Sequence, residues 1–191
     1  GNAIQGDNCV WVTSYRKSTV FRRQTTGDHA RNIEKPVVHL KSRFHARIVD
    51  GLSIVWAGSQ WSDFVKWAVK KGLGGIENLA AIPGTVGGAP EQNIGAYGVE
   101  VKDTIVWVEV FNYRTGLFQR LSNEECRFMY RTSVFKESDN PWIITRIAFE
   151  LSKKAELNLA YDGIKQELEA KNILNPTYAD ICTGTTGHAE V

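Results

Sequence analysis

Trp61, Phe64, Val65, Ala68 and Val69 recur at three- and four-residue spacing, which predicts a helix with one apolar face. Ser62 is placed to cap it and Gly72 to stop it. Just upstream, RFHARIV and LSIVWAG flank Asp50-Gly51, the pattern of a hairpin with a tight turn. Further strands are expected over 37–41 (VVHLK), 103–112 (DTIVWVEVFN), 117–121 (LFQRL, returning after a turn at 113–116) and 142–153. Ser122 and Glu125 form a capping box for a short helix. Residues 162–171 predict a helix with Ile164 and Leu168 on its apolar face, and 176–181 a helix start with Thr177 as cap and Asp180 three residues on. The periodic signal then ends in CTGTTGHAEV. Near the N-terminus WVTSYRKSTVF alternates like a strand, and the polar run after it carries a turn signal at Gly27-Asp28. Interleaved strands and helices with several hairpins give an α+β class.

Length and composition narrow the function classes. At 191 residues the chain suits one domain or two small ones, with 42% hydrophobic and 23% charged residues as in ordinary globular proteins. A net charge of +2 gives no electrostatic case for nucleic acid or a membrane surface. No apolar run approaches a membrane span, and the N-terminus lacks a signal-peptide pattern. Cys9, Cys126 and Cys182 are far apart and have no metal spacing with the histidines, which points to free thiols in a reducing cytoplasm. No protein partner is indicated.

Residues 72–100, GLGGIENLAAIPGTVGGAPEQNIGAYGVE, hold eight glycines and two prolines with little charge. Glycine permits positive φ and close approach to the main chain, and successive free N–H groups form nests for anions. Gly84, Gly87 and Gly88 can present amides to a diphosphate, Gln92 and Asn93 can meet a flat heterocycle, and Ile82 and Ile94 can cover an apolar ring. A turn-rich structural loop remains the other reading, because no GxGxxG follows a strand and opens a helix.

The run IENLAAIPGTVGGAPEQNIGAYGVE resembles the FAD-binding signature of the UDP-N-acetylenolpyruvoylglucosamine reductase family, within the wider vanillyl-alcohol-oxidase type of flavin fold. That resemblance implies flavin contact at Ile82, Pro83, Gly84, Gly87, Gly88, Gln92, Asn93, Gly95 and Tyr97. A second stretch, ECRFMYRTSVFK, resembles the family's E-C-R-F-G-Y-R-x-S-x-F-K, with Met129 in place of a glycine. It implies that Arg131 stabilises the enolate formed when hydride reaches the enolpyruvyl double bond, since a planar guanidinium holds such an anion with two hydrogen bonds. Tyr130 falls on the family's tyrosine beside that arginine, and the resemblance implies a substrate-side role for it. LAYDGIKQEL is similar to the family's L-x-Y-G-D segment and implies a substrate-side role for Tyr161.

The resemblance covers about residues 37–180 and implies FAD as cofactor, NADPH as electron donor and a UDP-sugar as substrate, in peptidoglycan synthesis. It divides the chain into an unmatched 1–34, part of a FAD-binding lobe over 35–101 and part of an α+β substrate-binding domain over 102–191. The family's N-terminal GGGSN loop, its proton-donating serine motif and its C-terminal glutamate are expected to be missing from this sequence. A non-catalytic copy of the reductase is therefore one alternative. Another flavin-dependent alcohol oxidase or dehydrogenase of the same fold is a second, and a sheet-rich binding module without cofactor a third.

Overall fold

The computed structural model describes residues 5–6, 9–14, 17–22 and 44–187. The chain divides into two compact units, Gly1–Arg43 and Phe44–Val191. In the first, β1 (Gln5–Gly6), β2 (Cys9–Ser14) and β3 (Lys17–Arg22) form an antiparallel sheet in that order. The stretch expected as one strand over 11–21 is two paired strands, with Trp11 opposite Val20 and Ser14 opposite Lys17. The turn expected at Gly27-Asp28 and the strand expected over 37–41 lie outside the described residues.

In the second unit β4 (Ala46–Val49) and β5 (Leu52–Trp56) form the expected hairpin. Asp50 and Gly51 take φ of 51° and 80°, the left-handed pair that a two-residue turn of matching twist requires. α1 (Trp61–Lys70) buries Trp61, Phe64, Val65 and Ala68. The cap differs from expectation. Gln60, not Ser62, is the N-cap, and it makes no side-chain capping bond. The Trp61 N–H instead donates to the Gly84 carbonyl at 3.0 Å, so a later loop serves the helix start. Lys71 is the C-cap, and Gly72 follows it with φ 69°.

The chain then runs through a short 3-10 turn at Glu77–Leu79, α2 (Gly88–Glu91) and a small hairpin of β6 (Gly95–Ala96) and β7 (Val99–Glu100). β8 (Ile105–Asn112), β9 (Leu117–Ser122) and β10 (Trp142–Glu150) complete an antiparallel sheet of order β4-β5-β10-β8-β9. Phe149 of β10 meets α1: its ring centroid lies 4.8 Å from that of Phe64 and 6.2 Å from that of Trp61. Trp61 Nε1 donates to the Leu79 carbonyl at 2.8 Å, which satisfies the one polar atom this ring takes inside.

Two further expectations change. The Ser122–Glu125 box forms, with the Ser122 N–H on Glu125 Oε2 at 2.7 Å and the Glu125 N–H on Ser122 Oγ at 3.2 Å. No helix grows from it, because Arg127 turns left-handed at φ 48° after a single turn. α3 (Asp162–Ala170) and α4 (Tyr178–Gly187) follow, the latter capped by Thr177 and Asp180 as expected. α4 continues through the CTGTTG stretch where periodicity ends. Ile181 packs with Ile164 and Leu168, and the hydroxyls of Thr183 and Thr185 donate back to carbonyls of Ala179 and Cys182. Packing against α3 thus overrides weak helix propensity. Among the described residues no helix is long and apolar enough to cross a membrane.

Candidate functional site

The glycine loop is anchored to the end of β5 and the start of α1. The Val86 N–H donates to the Ser59 carbonyl at 2.9 Å and the Gly87 N–H to the Ala57 carbonyl at 2.8 Å. A Cβ on Gly87 would stand 2.7 Å from that of Ala57, so the bare backbone there permits a close approach of two chain segments. The Gly88 N–H is bonded to the carbonyl and hydroxyl of Thr85. The amides of Gly87 and Gly88 are therefore used within the chain. Those of Gly84 and Thr85 make no hydrogen bond among the described residues. Gly84 has φ 119°, is exposed, and has nothing within 4 Å of where a Cβ would stand. Pro83 and Gln92 are also exposed and Ile82 half-buried, whereas Ile94 belongs to the core.

From Glu91 onward this loop lies along the segment that carries Arg131. The Ser133 hydroxyl donates to the Glu91 carbonyl at 2.7 Å, Asn93 Nδ2 to the Met129 carbonyl at 3.1 Å, and Arg131 Nη2 to the Gly95 carbonyl at 2.8 Å. Lys136 Nζ donates to the Arg131 carbonyl at 3.1 Å. Arg131 is exposed, lies 5.8 Å from the Tyr130 ring centroid, and makes no other side-chain hydrogen bond among the described residues. Met129 does not crowd the turn, because its side chain stands out into solvent.

Tyr161 reaches the same loop from the other end. Its ring meets that of Tyr97 edge-on, with centroids 4.9 Å apart. Tyr97 also packs on the cluster of Ile164, Leu168 and Ile181. Asn158 Nδ2 donates to the Gly98 carbonyl at 3.3 Å, and Asn78 Nδ2 to the Asn158 carbonyl at 3.0 Å. The structure thus draws residues 91–98, 127–136 and 158–161 together, with Tyr130 and Tyr161 exposed beside Arg131 and Tyr97. Asn78, Asn158 and Ser133 were not singled out by role in the sequence, since asparagine and serine in polar loops carry no periodic signal. Six non-glycine residues among those described have positive φ, and four of them are Asn93, Tyr97, Arg127 and Arg131. Such strain gathers where surrounding contacts over-determine the backbone, often at functional sites.

Glu100 forms an ion pair with Lys102. The Lys102 ammonium holds the Glu100 carboxyl below its ordinary value against the opposing effect of burial, with Asn93 and Arg131 assisting. Cys126 offers no nucleophile, because burial and the nearby Glu125 charge push its thiol up to about 12. Cys126 is a free thiol, and both it and Cys182 are buried. No group of three His, Cys, Asp or Glu among the described residues is placed to hold a metal ion.

Residues 26–122 match the FAD binding domain family, which places this α+β chain in the flavin-binding class. That match spans just over half of the chain, and the chain belongs to this family. Its relatives narrow the likeness further. It is 39% identical over 155 residues to the UDP-N-acetylenolpyruvoylglucosamine reductase of Pseudomonas aeruginosa, covering 79% of this chain and 46% of the relative. Proteins of the same name from Pseudomonas fluorescens and Xylella fastidiosa are 46% and 49% identical over 125 residues, which is 65% of this chain and 37% and 36% of theirs. The crystal structure of UDP-N-acetylenolpyruvylglucosamine reductase from Thermus caldophilus superposes with a TM-score of 0.50 at 30% identity, covering 71% of this chain and 43% of that one. The chain spans less than half the length of the curated relatives it matches. The expected resemblance to the reductase family and the α+β flavin-binding fold are both borne out.

Proposed function

We propose that the chain acts in the FAD-dependent reduction of UDP-N-acetyl-enolpyruvoylglucosamine to UDP-N-acetylmuramate, with NADPH as electron donor, in the cytoplasmic stage of peptidoglycan synthesis. The observation that carries this reading is Arg131. Its guanidinium donates to the Gly95 carbonyl of the glycine loop, and the exposed side chain makes no other hydrogen bond among the described residues. It is placed to hold the carboxylate of an enolpyruvyl group and the negative charge that develops on it. Tyr130 and Tyr161 offer exposed rings and hydroxyls to the sugar nucleotide.

The loop fits a flavin diphosphate in part. The Gly84 and Thr85 amides make no hydrogen bond among the described residues, Gln92 is exposed for a heterocycle edge, and Ile82 and Tyr97 supply apolar surface. Gly87 and Gly95 permit the close main-chain approaches that shape this cradle, to Ala57 and to the Val99 carbonyl. FAD, when bound, supplies the two-electron chemistry, and the chain's own residues bind, orient and stabilise charge. On this reading residues 35–101 act as part of the flavin lobe and 102–191 as part of the substrate-binding domain. The inward-turned amides of Gly87 and Gly88 favour one second reading, a copy that keeps the flavin fold without turnover.

A visible spectrum of the purified chain, taken after addition of FAD and desalting, separates the two. A retained flavin band that NADPH bleaches, and that the enolpyruvyl sugar nucleotide restores, is the expected result. A retained band without turnover selects the second reading. A colourless chain overturns the claim that this loop holds the cofactor.

A further inference from the structure

We infer that Asn93 is the positioning residue for Arg131, and that it acts through its buried carboxamide. The side chain is fully buried, at 0% exposure, and both of its ends are used. Nδ2 donates to the Met129 carbonyl at 3.1 Å, and Oδ1 accepts the Lys102 N–H at 3.2 Å. It has no surface to offer a ligand. Its bond reaches the first residue of the turn that bears Arg131. That turn is closed by a reciprocal pair, with the Met129 N–H on the Thr132 carbonyl at 3.1 Å and the Thr132 N–H on the Met129 carbonyl at 3.3 Å. Within it Arg131 is left-handed, at φ 54°, a conformation that an arginine holds only when its surroundings impose it.

The chemistry of residue 93 is narrow. The position is itself left-handed, at φ 43°, which asparagine tolerates better than other side chains except glycine. A carboxamide supplies one donor and one acceptor at a fixed angle, so it ties two segments at once. The Lys102 end fixes Asn93 to the chain after β7, and the Met129 end fixes the turn. Ser133, bonded to the Glu91 carbonyl, secures the far side of the same turn. The guanidinium is then held on the Gly95 carbonyl at the exposed edge of the loop. The link to function rests on the proposed enolpyruvyl-sugar site, but the brace itself does not.

Two variants test it in the full chain. Asn93→Gly keeps the left-handed backbone and removes both bonds. Asn93→Asp keeps the acceptor for Lys102, removes the donor to Met129 and sets a second carboxyl beside Glu100. Amide hydrogen exchange of the unliganded chain is read by NMR. Exchange at Met129 and Thr132 is expected to rise about tenfold in both variants, the scale of one lost hydrogen bond, with β8 and β10 amides unchanged. Unchanged exchange at those two amides overturns the inference. So does acceleration spread equally over the sheet, or acceleration in Asn93→Gly alone, which would trace to the Lys102 bond. Calorimetric titration with UDP-N-acetyl-enolpyruvoylglucosamine supplies a readout that simple destabilisation does not move. Asn93→Gly should weaken binding about tenfold when Arg131 is present and less than about twofold in an Arg131→Ala background, because the effect passes through that guanidinium. Equal losses in both backgrounds overturn the positioning role. A parent chain that binds none of this sugar nucleotide defeats the proposed substrate, and the exchange measurement still decides the role of Asn93.

Discussion

Where α1 meets the sheet, Trp61, Phe64 and Phe149 bury whole rings against one another. Where residues 91–97 meet 127–136, three side-chain hydrogen bonds make the junction. Burying one large apolar side chain contributes about 1.5–3 kcal/mol, while a hydrogen bond contributes about 1 kcal/mol net. The loop junction also carries four left-handed non-glycine residues, each costing about 1 kcal/mol or more. The helix–sheet contact is thus a reservoir of stability. The loop junction is close to balanced and holds its geometry by specific pairs. Losing a ring should destabilise the whole unit, whereas losing a polar pair should loosen one turn.

The largest expected effect is at the reservoir. Phe64→Ala should cost about 3–5 kcal/mol, because Phe64 is fully buried and the cavity it leaves is walled by Trp61 and Phe149. Urea unfolding measures it, and a loss under about 1 kcal/mol would remove the contrast between the two regions. Next comes a polar cluster inside the sheet that resembles the loop junction in chemistry but not in surroundings. Glu109 on β8 accepts from Arg146 Nε at 2.7 Å, from Arg146 Nη2 at 2.5 Å and from Thr145 Oγ1 at 3.0 Å. Burial pushes its carboxyl up, yet Arg146, Thr145 and Arg120 outweigh that and hold it below the ordinary 4.5. With the folded value depressed, the unfolded chain takes up the proton first on acidification. The contribution is therefore complete above about pH 5 and fades as pH falls below 4.5 toward the lower folded value. Glu109→Ala should cost about 2–3 kcal/mol at pH 7, less than a fully buried pair, since the Arg146 side chain is 26% exposed. Glu109→Gln should flatten the acid limb of the stability profile, and an unchanged slope below pH 5 would count against the pairing.

The same division explains what could be read in advance. The Asp50-Gly51 hairpin, α1, β8, β10 and the apolar face of α3 were legible because burial repeats with the period of the element. α4 was legible at its Thr177–Asp180 cap and illegible beyond it, because its buried positions include Gly184 and Thr185 beside Ile181 and Cys182, and threonine and glycine carry no apolar period. The cap of α1 was misplaced for a different reason. Its partner, the Gly84 carbonyl, is remote in sequence, and no local motif announces it. In the site, composition pointed to the glycine loop, and the resemblance pointed to Arg131 and Tyr161. The pairing of Asn93 with Met129 and of Ser133 with Glu91 is long-range and polar, so neither periodicity nor spacing reveals it.

The smallest effect separates two reasons for glycine within one loop. Gly87 has an ordinary φ of −70°, so an added side chain meets no backbone strain there. What it meets is Ala57, with Cβ atoms 2.7 Å apart and the Ala57 carbonyl oxygen 3.1 Å away. Gly84 is the reverse, with φ 119° and open space. Each single change to alanine should cost about 1–2 kcal/mol, from overpacking at Gly87 and from backbone strain at Gly84. Their rescues differ. Ala57→Gly should recover part of the loss in Gly87→Ala, because it removes one of the two clashing carbons, and should recover none in Gly84→Ala. Urea midpoints of the four variants read this directly, and equal recovery in both would mean that the loop adjusts as a whole. Retention of the flavin band should fall more in Gly87→Ala, which lifts the loop from β5 and displaces the Gly84 and Thr85 amides, than its stability loss alone would produce.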